Sequence, residues 1–468
     1  GSMAASQDES TWVLTSYLVS NAIVLPISGW LARVVGRKRF YMCCVALFGV
    51  SSLLCGLAPS LGLLIFFRVL QGLGGGGLAP SEQSILADTF APARRGQAFA
   101  LYGVAVVVAP TLGPTLGGWI TDSYSWRWIF LINVPVCAAS LLLSYSILVD
   151  PPVIRRERRE ALHGGLKVDY LGFVLVAVGL GCMQVILDKG QEEDWFASDF
   201  ILTFAIISVS SLIFLVIWEL SQKEPIVDIP LFKDKSFAAA MAAMFLTGFI
   251  LISTTQMLPQ FLQTMMGYTA TKAGLALTAG GAATLLVMPL VGALLKKVQP
   301  KYLIAFGLAV EAVACEHLRG FTTEISFAHV AWARVLQAIG LPFLFVPIST
   351  VSYAGLPPGK NNNASALINT MRNLGGSFGI SVAVTLLARR GQFHHSRIME
   401  TVDAFTSAGA ASFSSHRLPA LENAIQRQAA MSSYIDVFFF LAAAATIAVP
   451  AMLALLRKVK PSDMAAAR

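Results

Sequence analysis

The sequence predicts an all-α, polytopic membrane protein made of two homologous halves with two extra helices between them. Three observations predict it. The 468 residues are 56% hydrophobic and only 13% charged, with a mean hydropathy of +0.67, more apolar sequence than any soluble core requires. Apolar runs of ~20 residues recur along the chain, each long enough to cross a ~30 Å hydrocarbon layer as a helix. And the stretch Arg-Val-Leu-Gln-Gly-Leu-Gly-Gly-Gly-Gly at 68–77 has an echo, Arg-Val-Leu-Gln-Ala-Ile-Gly-Leu-Pro at 334–342. A charged residue and clustered glycines inside an apolar run suit a membrane helix packed closely on partner helices.

Taken in order, the chain reads as about thirteen spans. Their cores lie at 12–32, 40–57, 61–80, 98–120, 128–148, 168–187, 200–220, 237–258, 273–295, 303–318, 328–353, 364–387 and 437–456. Lys and Arg mark the inner face, at 33–39, 94–95, 155–167, 223–235, 296–301 and 457–460, whereas the loop at 188–198 carries Glu192, Glu193 and Asp194. The net charge of +8 thus belongs to loops at a membrane surface, not to a nucleic-acid face. The stretch 389–436 carries several arginines, but long loops escape the rule and it is placed outside. This orientation puts residues 1–10 outside and the C-terminus inside, and it predicts one further helix ahead of Gly1, about fourteen spans in all. The expected units are an N-terminal half at 1–149, two extra helices with inner loops at 150–236, a C-terminal half at 237–457 with the long outer loop 389–436, and an inner tail at 458–468. The six cysteines lie in or beside apolar spans, with no metal spacing and no disulfide framework.

The echo extends both ways. GWLARVVGRKRF at 29–40 aligns with GALLKKVQPKYL at 292–303, and PARRGQA at 92–98 resembles PPGKNNNA at 357–364. Order and spacing are kept together, so the halves are read as repeats, the pattern of a transporter that rocks around a central cavity.

The motifs carry a resemblance. The stretch Gly29-Trp-Leu-Ala-Arg-Val-Val-Gly36-Arg37-Lys38 resembles the loop motif of the major facilitator superfamily, and Arg68-x-x-Gln71-Gly72 its fourth-helix motif. Pro110, Gly113, Pro114, Gly117 and Gly118 are similar to its fifth-helix antiporter motif, and WRWIFLINVP at 126–135 to the signature of fourteen-span drug:proton antiporters. Among these, the chain resembles inner-membrane pumps of tripartite efflux systems. The resemblance implies a major facilitator fold of two pseudo-symmetric six-helix halves plus two linker helices, export driven by the proton gradient with no other cofactor, and two partners, a periplasmic adaptor and an outer-membrane channel. It also implies that a functionally important acid belongs to the first helix. One departure is Arg33, which stands where the family carries Asp, so the usual charge latch of the loop loses its acid.

Each candidate has a plainer reading. Arg68 sits about seven residues into its span, roughly 10 Å deep at 1.5 Å per residue, where snorkelling would suffice. Its pairing with Arg334 favours a coupling role. Gly72-x-Gly74-x-x-Gly77 matches the dinucleotide pattern by letter but lacks the preceding strand that pattern needs. Gly113, Gly117 and Gly118 form a small-residue face suited to close packing, and Pro110 and Pro114 bend the same helix. Glu82 and Glu311 lie within spans, where carboxylates are expensive and exchange protons, and Arg372 is a candidate counter-charge. For Glu316 and the adjoining His317 the outer interface is the favoured reading. Gln71, Phe245, Phe249, Gln256, Met257, Gln260, Phe343 and Phe345 are candidates for a greasy cavity, although each aromatic or Met taken singly more often faces lipid or packing. His394-His395 reads as solvated loop rather than metal site.

Together these features predict a proton-driven exporter of hydrophobic or amphipathic compounds and not an enzyme, since no P-loop, metal cluster or nucleophile motif lies in a water-facing domain. The alternatives are a facilitator-fold transporter of a defined metabolite or fatty acid, and a membrane receptor or scaffold that transports nothing.

Overall fold

The computed structural model describes residues 7–149, 169–222, 225–354, 356, 360–407 and 418–456. The expected inner loop 155–167 and tail 457–460 lie outside this set. Ten described helical segments are long and apolar enough to cross a membrane. Three more, Pro92–Ser123, Pro300–Arg319 and Asn361–Ser407, have spanning length and pack among the ten, which brings the described set to the thirteen expected.

The first half comprises α1 (Gln7–Val35), α2 (Arg37–Leu57), α3 (Leu61–Gly76), α4 (Leu78–Thr89), α5 (Pro92–Ser123), α6 (Trp128–Leu131) and α7 (Asn133–Ile147). Between α1 and α2, Gly36 turns the chain at φ 95°, a region that favours glycine. The α3–α4 break falls at Gly77, three residues before Pro80, whose missing N–H ends the hydrogen-bond ladder there. The inserted pair is α8 (Tyr170–Lys189), capped by Asp169, and α9 (Asp199–Ser221). One side of α9 is open and apolar, with Ile206, Phe214 and Ile217 each more than 60% exposed, as suits a lipid-facing surface.

The second half comprises α10 (Lys235–Thr264), α11 (Ala270–Leu294), α12 (Pro300–Arg319), α13 (Phe327–Ser352), α14 (Asn361–Ser407) and α15 (Leu418–Leu455). The largest buried cluster lies here, between α10, α12, α13, α14 and α15. The halves meet along α5 and α11, along α1 and α14, and between α4 and α14.

Two expectations are corrected. The stretch 389–436 is not a loop: α14 runs on to Ser407 and α15 begins at Leu418, so two helices continue past the apolar layer as a hairpin whose residues 408–417 lie outside the described set. Arg390 and His394 both reach Asp436 across it, at 2.5 and 2.8 Å, and His395 reaches Glu422 at 3.0 Å. Polar side chains were read as loop, but paired helices satisfy them equally well. Gly113 and Gly117 also do not pack as expected. A Cβ added at either meets nothing within 4 Å among the described residues, and only Gly118 sits close to a partner, Ala270 of α11. The helix α5 continues through Pro110 and Pro114, whose side chains are outside the described set.

Candidate functional site

The glycine run of α3 and the break after it work as spacers. A Cβ at Gly72 would strike Ser20 and Tyr17 of α1, one at Gly74 the backbone of Phe48 in α2, and one at Gly76 Val24 of α1. This close approach, and not a nucleotide, accounts for the run. It also brings α1 and α2 within reach of the Arg68–Gln71 turn. Arg68 donates from Nε to the Val13 carbonyl at 2.9 Å and from Nη1 to Gln71 Oε1 at 2.7 Å. Gln71 donates onward to Ser52. The guanidinium lies 4.3 Å from the Tyr17 ring centroid and 5.6 Å from that of Phe130.

The echo in α13 builds the same device and adds a carboxylate. Arg334 donates from Nη1 to Gln337 Oε1 and from Nη2 to Thr255 Oγ1 at 3.4 Å, and Gln337 donates to Thr254 at 2.6 Å. Glu311 of α12 is the carboxyl group near enough to act electrostatically on Arg334. Gly340 permits this approach: a Cβ there would stand 3.1 Å from Glu311 Oε1. Arg334 is 2% exposed and Glu311 0%. Neither carboxylate oxygen of Glu311, nor Nε of Arg334, has a hydrogen-bond partner among the described residues. On α10, which supplies Thr254 and Thr255, the side chains of Gln256, Gln260 and Gln263 are exposed at i, i+4 and i+7. A row of amides on a membrane helix faces water more cheaply than lipid.

A third polar region joins the halves. Glu82 of α4 is within 3.4 Å of the Tyr41 hydroxyl and is faced by the charge of Arg372 from α14. Around it, Asn369 donates to Gln83 at 2.8 Å, Asn373 to Asn21 at 3.3 Å and Ser377 to Gln184 at 2.9 Å. Asn361 donates to Asp88, which also pairs with Arg37. Asn361, Ser365, Asn369, Asn373 and Ser377 thus form a row at intervals of four on α14. Sequence reasoning missed it, although the four-residue spacing of small polar groups in an apolar helix was a readable signal.

The remaining candidates are dispersed. The loop motif keeps a latch despite Arg33, because Arg37 rather than an acid at 33 supplies the pair, with Asp88. Lys38 donates to the Tyr145 carbonyl at 2.6 Å. Gly29 meets the backbone of α14, where a Cβ would stand 2.9 Å from the Asn362 carbonyl. Met257, Phe343 and Phe345 are buried in core clusters, and Phe245 and Phe249 pack against Phe378 and Phe440. Glu316 faces outward, half-exposed and paired with Arg319 at 2.7 Å, apart from the Glu311 cluster. His317 stacks on His329, ring centroids 4.9 Å apart.

Comparison with known proteins places these features in a family. A family model described as Major Facilitator Superfamily matches residues 2–380. The Multidrug export protein EmrB of Escherichia coli K12 is 38% identical over 416 residues, which cover 88% of this chain and 80% of that protein. The Fatty acid resistance protein FarB of Neisseria gonorrhoeae is 36% identical over 407 residues, 87% of this chain and 79% of that protein. Among solved structures, the MFS proton:xylose symporter XylE superposes with a TM-score of 0.62 at 14% identity, over 98% of this chain and 89% of that one, a likeness of fold.

Proposed function

The chain belongs to the Major Facilitator Superfamily, and from that premise we propose that it exports hydrophobic or amphipathic compounds by alternating access, in exchange for protons. The relationship to EmrB supports export of drug-like molecules. The observation that carries proton coupling is Glu311: fully buried, without a hydrogen-bond donor among the described residues, and near Arg334. In a membrane interior such a carboxylate persists either as the neutral acid or as the partner of the cation. A switch between those two states biases the helices that carry them, and a ligand competing for one state is driven by the other. Glu82, with Arg372 across the half interface, is the second candidate carrier.

The test is Glu311→Gln in proteoliposomes. Efflux driven by a pH gradient is expected to fall roughly tenfold, the effect of losing about 1.4 kcal/mol of coupling, while substrate binding persists. Unchanged efflux with unchanged pH dependence would remove Glu311 from the mechanism and leave Glu82. Dye exclusion abolished by a protonophore would also separate an antiporter from a scaffold. The name of FarB favours one narrower substrate reading, fatty acids, which a competition assay with a long-chain fatty acid would test.

The proposed setting is a bacterial inner membrane with the C-terminus cytoplasmic, and the proposed partners are a periplasmic adaptor and an outer-membrane channel. The helical hairpin of α14 and α15 supports this reading, since it continues beyond the apolar layer on the side assigned outward by the Lys/Arg pattern. A cleft of about 520 Å³ opens at its base, lined by residues that include Thr264, Leu387, Gly391, His395, Gln426 and Tyr434. Shortening 404–415 is expected to weaken adaptor co-purification and cellular resistance while purified protein still binds substrate. Survival of both would show that the hairpin is not the docking element.

A further inference from the structure

The two inserted helices do more than lengthen the chain. Residues 360–363, at the start of α14, are gripped from two sides. On one side Asn361 donates to Asp88 of the N-terminal half. On the other, Asp228 receives the Lys360 ammonium as a salt bridge and the Asn363 amide at 3.2 Å. Asp228 belongs to the segment that leaves α9, not to either repeat. It is 4% exposed. We propose that Asp228 is a positioning residue for transport: through Lys360 and Asn363 the inserted helix pair holds the inner end of α14 against the N-terminal half.

The segment carrying Asp228 is rigidly held. Glu219, at the end of α9 and 0% exposed, accepts the Ile226 N–H at 3.1 Å and the Val227 N–H at 3.3 Å. Asp169, which caps α8 through Gly172 N–H at 2.8 Å, also accepts Trp218 Nε1 at 2.8 Å, so the inner ends of α8 and α9 are tied together. Ile226 is buried with Ile27 and Trp30 of α1 and with Val176, Leu180 and Leu215 of the inserted pair. Ile226 therefore packs on the N-terminal half and Leu231 in the C-terminal cluster, so Asp228 lies where the segment crosses from one half to the other. A buried carboxylate keeps a part-exposed lysine in place only while the two surfaces stay together. Where α1 meets the start of α14, Gly29 leaves no room for a side chain against Asn362 and Asn363. With Ile226 held on α1, separation of α14 from α1 at this end breaks the Asp228 contacts, and in an alternating-access cycle that separation is the step that admits substrate from the inner side. The two acids are not equivalent. Asp88 also pairs with Arg37 of its own half, whereas the salt bridge of Asp228 is made across the interface.

The test uses a cysteine-free full-length chain with Asn362→Cys, a buried position on α14 whose backbone meets Gly29 of α1. It reads maleimide labelling from the inner face in inside-out vesicles, which requires no transported substrate. Asp228→Asn and Lys360→Gln are each expected to raise the labelling rate roughly threefold, the scale of one part-exposed ion pair, and to change the maximal efflux rate more than the apparent KM. The exchange Asp228→Lys with Lys360→Asp is expected to return labelling toward the parent rate, which a role in folding alone would not produce. Should Asp228→Asn not fold, Lys360→Gln carries the same expectation, because that lysine is 36% exposed in its side chain. Parental labelling in the folded Lys360→Gln variant, or an exchange variant that labels like Asp228→Asn, would overturn the proposal.

Discussion

Arg68 and Arg334 begin the same four-residue device, yet the two halves finish it differently. In both, the guanidinium is held by a glutamine one turn on, and that glutamine is anchored to a hydroxyl of another helix, Ser52 in one half and Thr254 in the other. In the first half the charge rests on a backbone carbonyl and two aromatic rings. In the second it lies near Glu311 in a fully buried site. Rings and carbonyls stabilise a cation permanently, whereas a carboxylate does so only while ionised. Under the proposed function, a motif shared by both repeats is therefore fixed in one and switchable in the other.

The strongest way to break this comparison is to remove each arginine in turn. Arg334→Leu removes the cation nearest Glu311 and leaves Gln337 Oε1 and Thr255 Oγ1 without their donor, at a cost of about 1–3 kcal/mol. It is expected to abolish efflux and lower Tm, and adding Glu311→Gln is expected to recover folded protein. Arg68→Leu strands no acid and is expected to lose efflux only several-fold. Equal losses in the two variants, measured as dye efflux and Tm in detergent, would make the sites equivalent.

The glycine contacts of the two halves differ as well. A Cβ at Gly375 of α14 would strike the Phe245 carbonyl, a backbone atom, whereas Gly113 of α5 faces open space among the described residues. Gly375→Ala is expected to cost about 1–3 kcal/mol through overpacking. Gly113→Ala is expected to gain about 0.5–1 kcal/mol from helix propensity. A Tm that falls for Gly113→Ala would place a packing partner against it.

The smallest effect sharpens the contrast within α12. Glu316 is only five residues from Glu311, yet its pair with Arg319 is half-exposed on both sides. Solvent screens such pairs to about 0–1 kcal/mol. Glu316→Gln is expected to leave efflux and Tm at parental values, and a clear loss of efflux would extend the proton site toward the outer end of the helix.

Much of this was legible in the chain. The twin Arg-x-x-Gln motifs identified both devices, and Glu311, with Glu82, stood out as a carboxylate kept within a span. The α14 row was legible too, but it was hidden because 364–387 was read for hydropathy rather than for polar spacing. The hairpin was misread because charge and small residues at 389–436 suit a solvated loop and a solvated helix equally. Nothing in the letters separates Asp228 from the other acids of the inner loops.

By itself the sequence determined the spans, their order and the two-fold repetition, because a bilayer permits few solutions for apolar runs of that length and every backbone group must be satisfied locally. It determined the chemistry of the sites for the same reason, since a charge kept inside such a run requires partners. Only the tertiary structure decided which partners these are. That Glu311 lies near Arg334 rather than Arg372, that Arg37 takes Asp88, and that Asp228 reaches Lys360 depend on helix rotation and crossing, which glycine contacts such as Gly340 of α13 against α12 and Gly29 of α1 against α14 set over distances that local sequence does not encode.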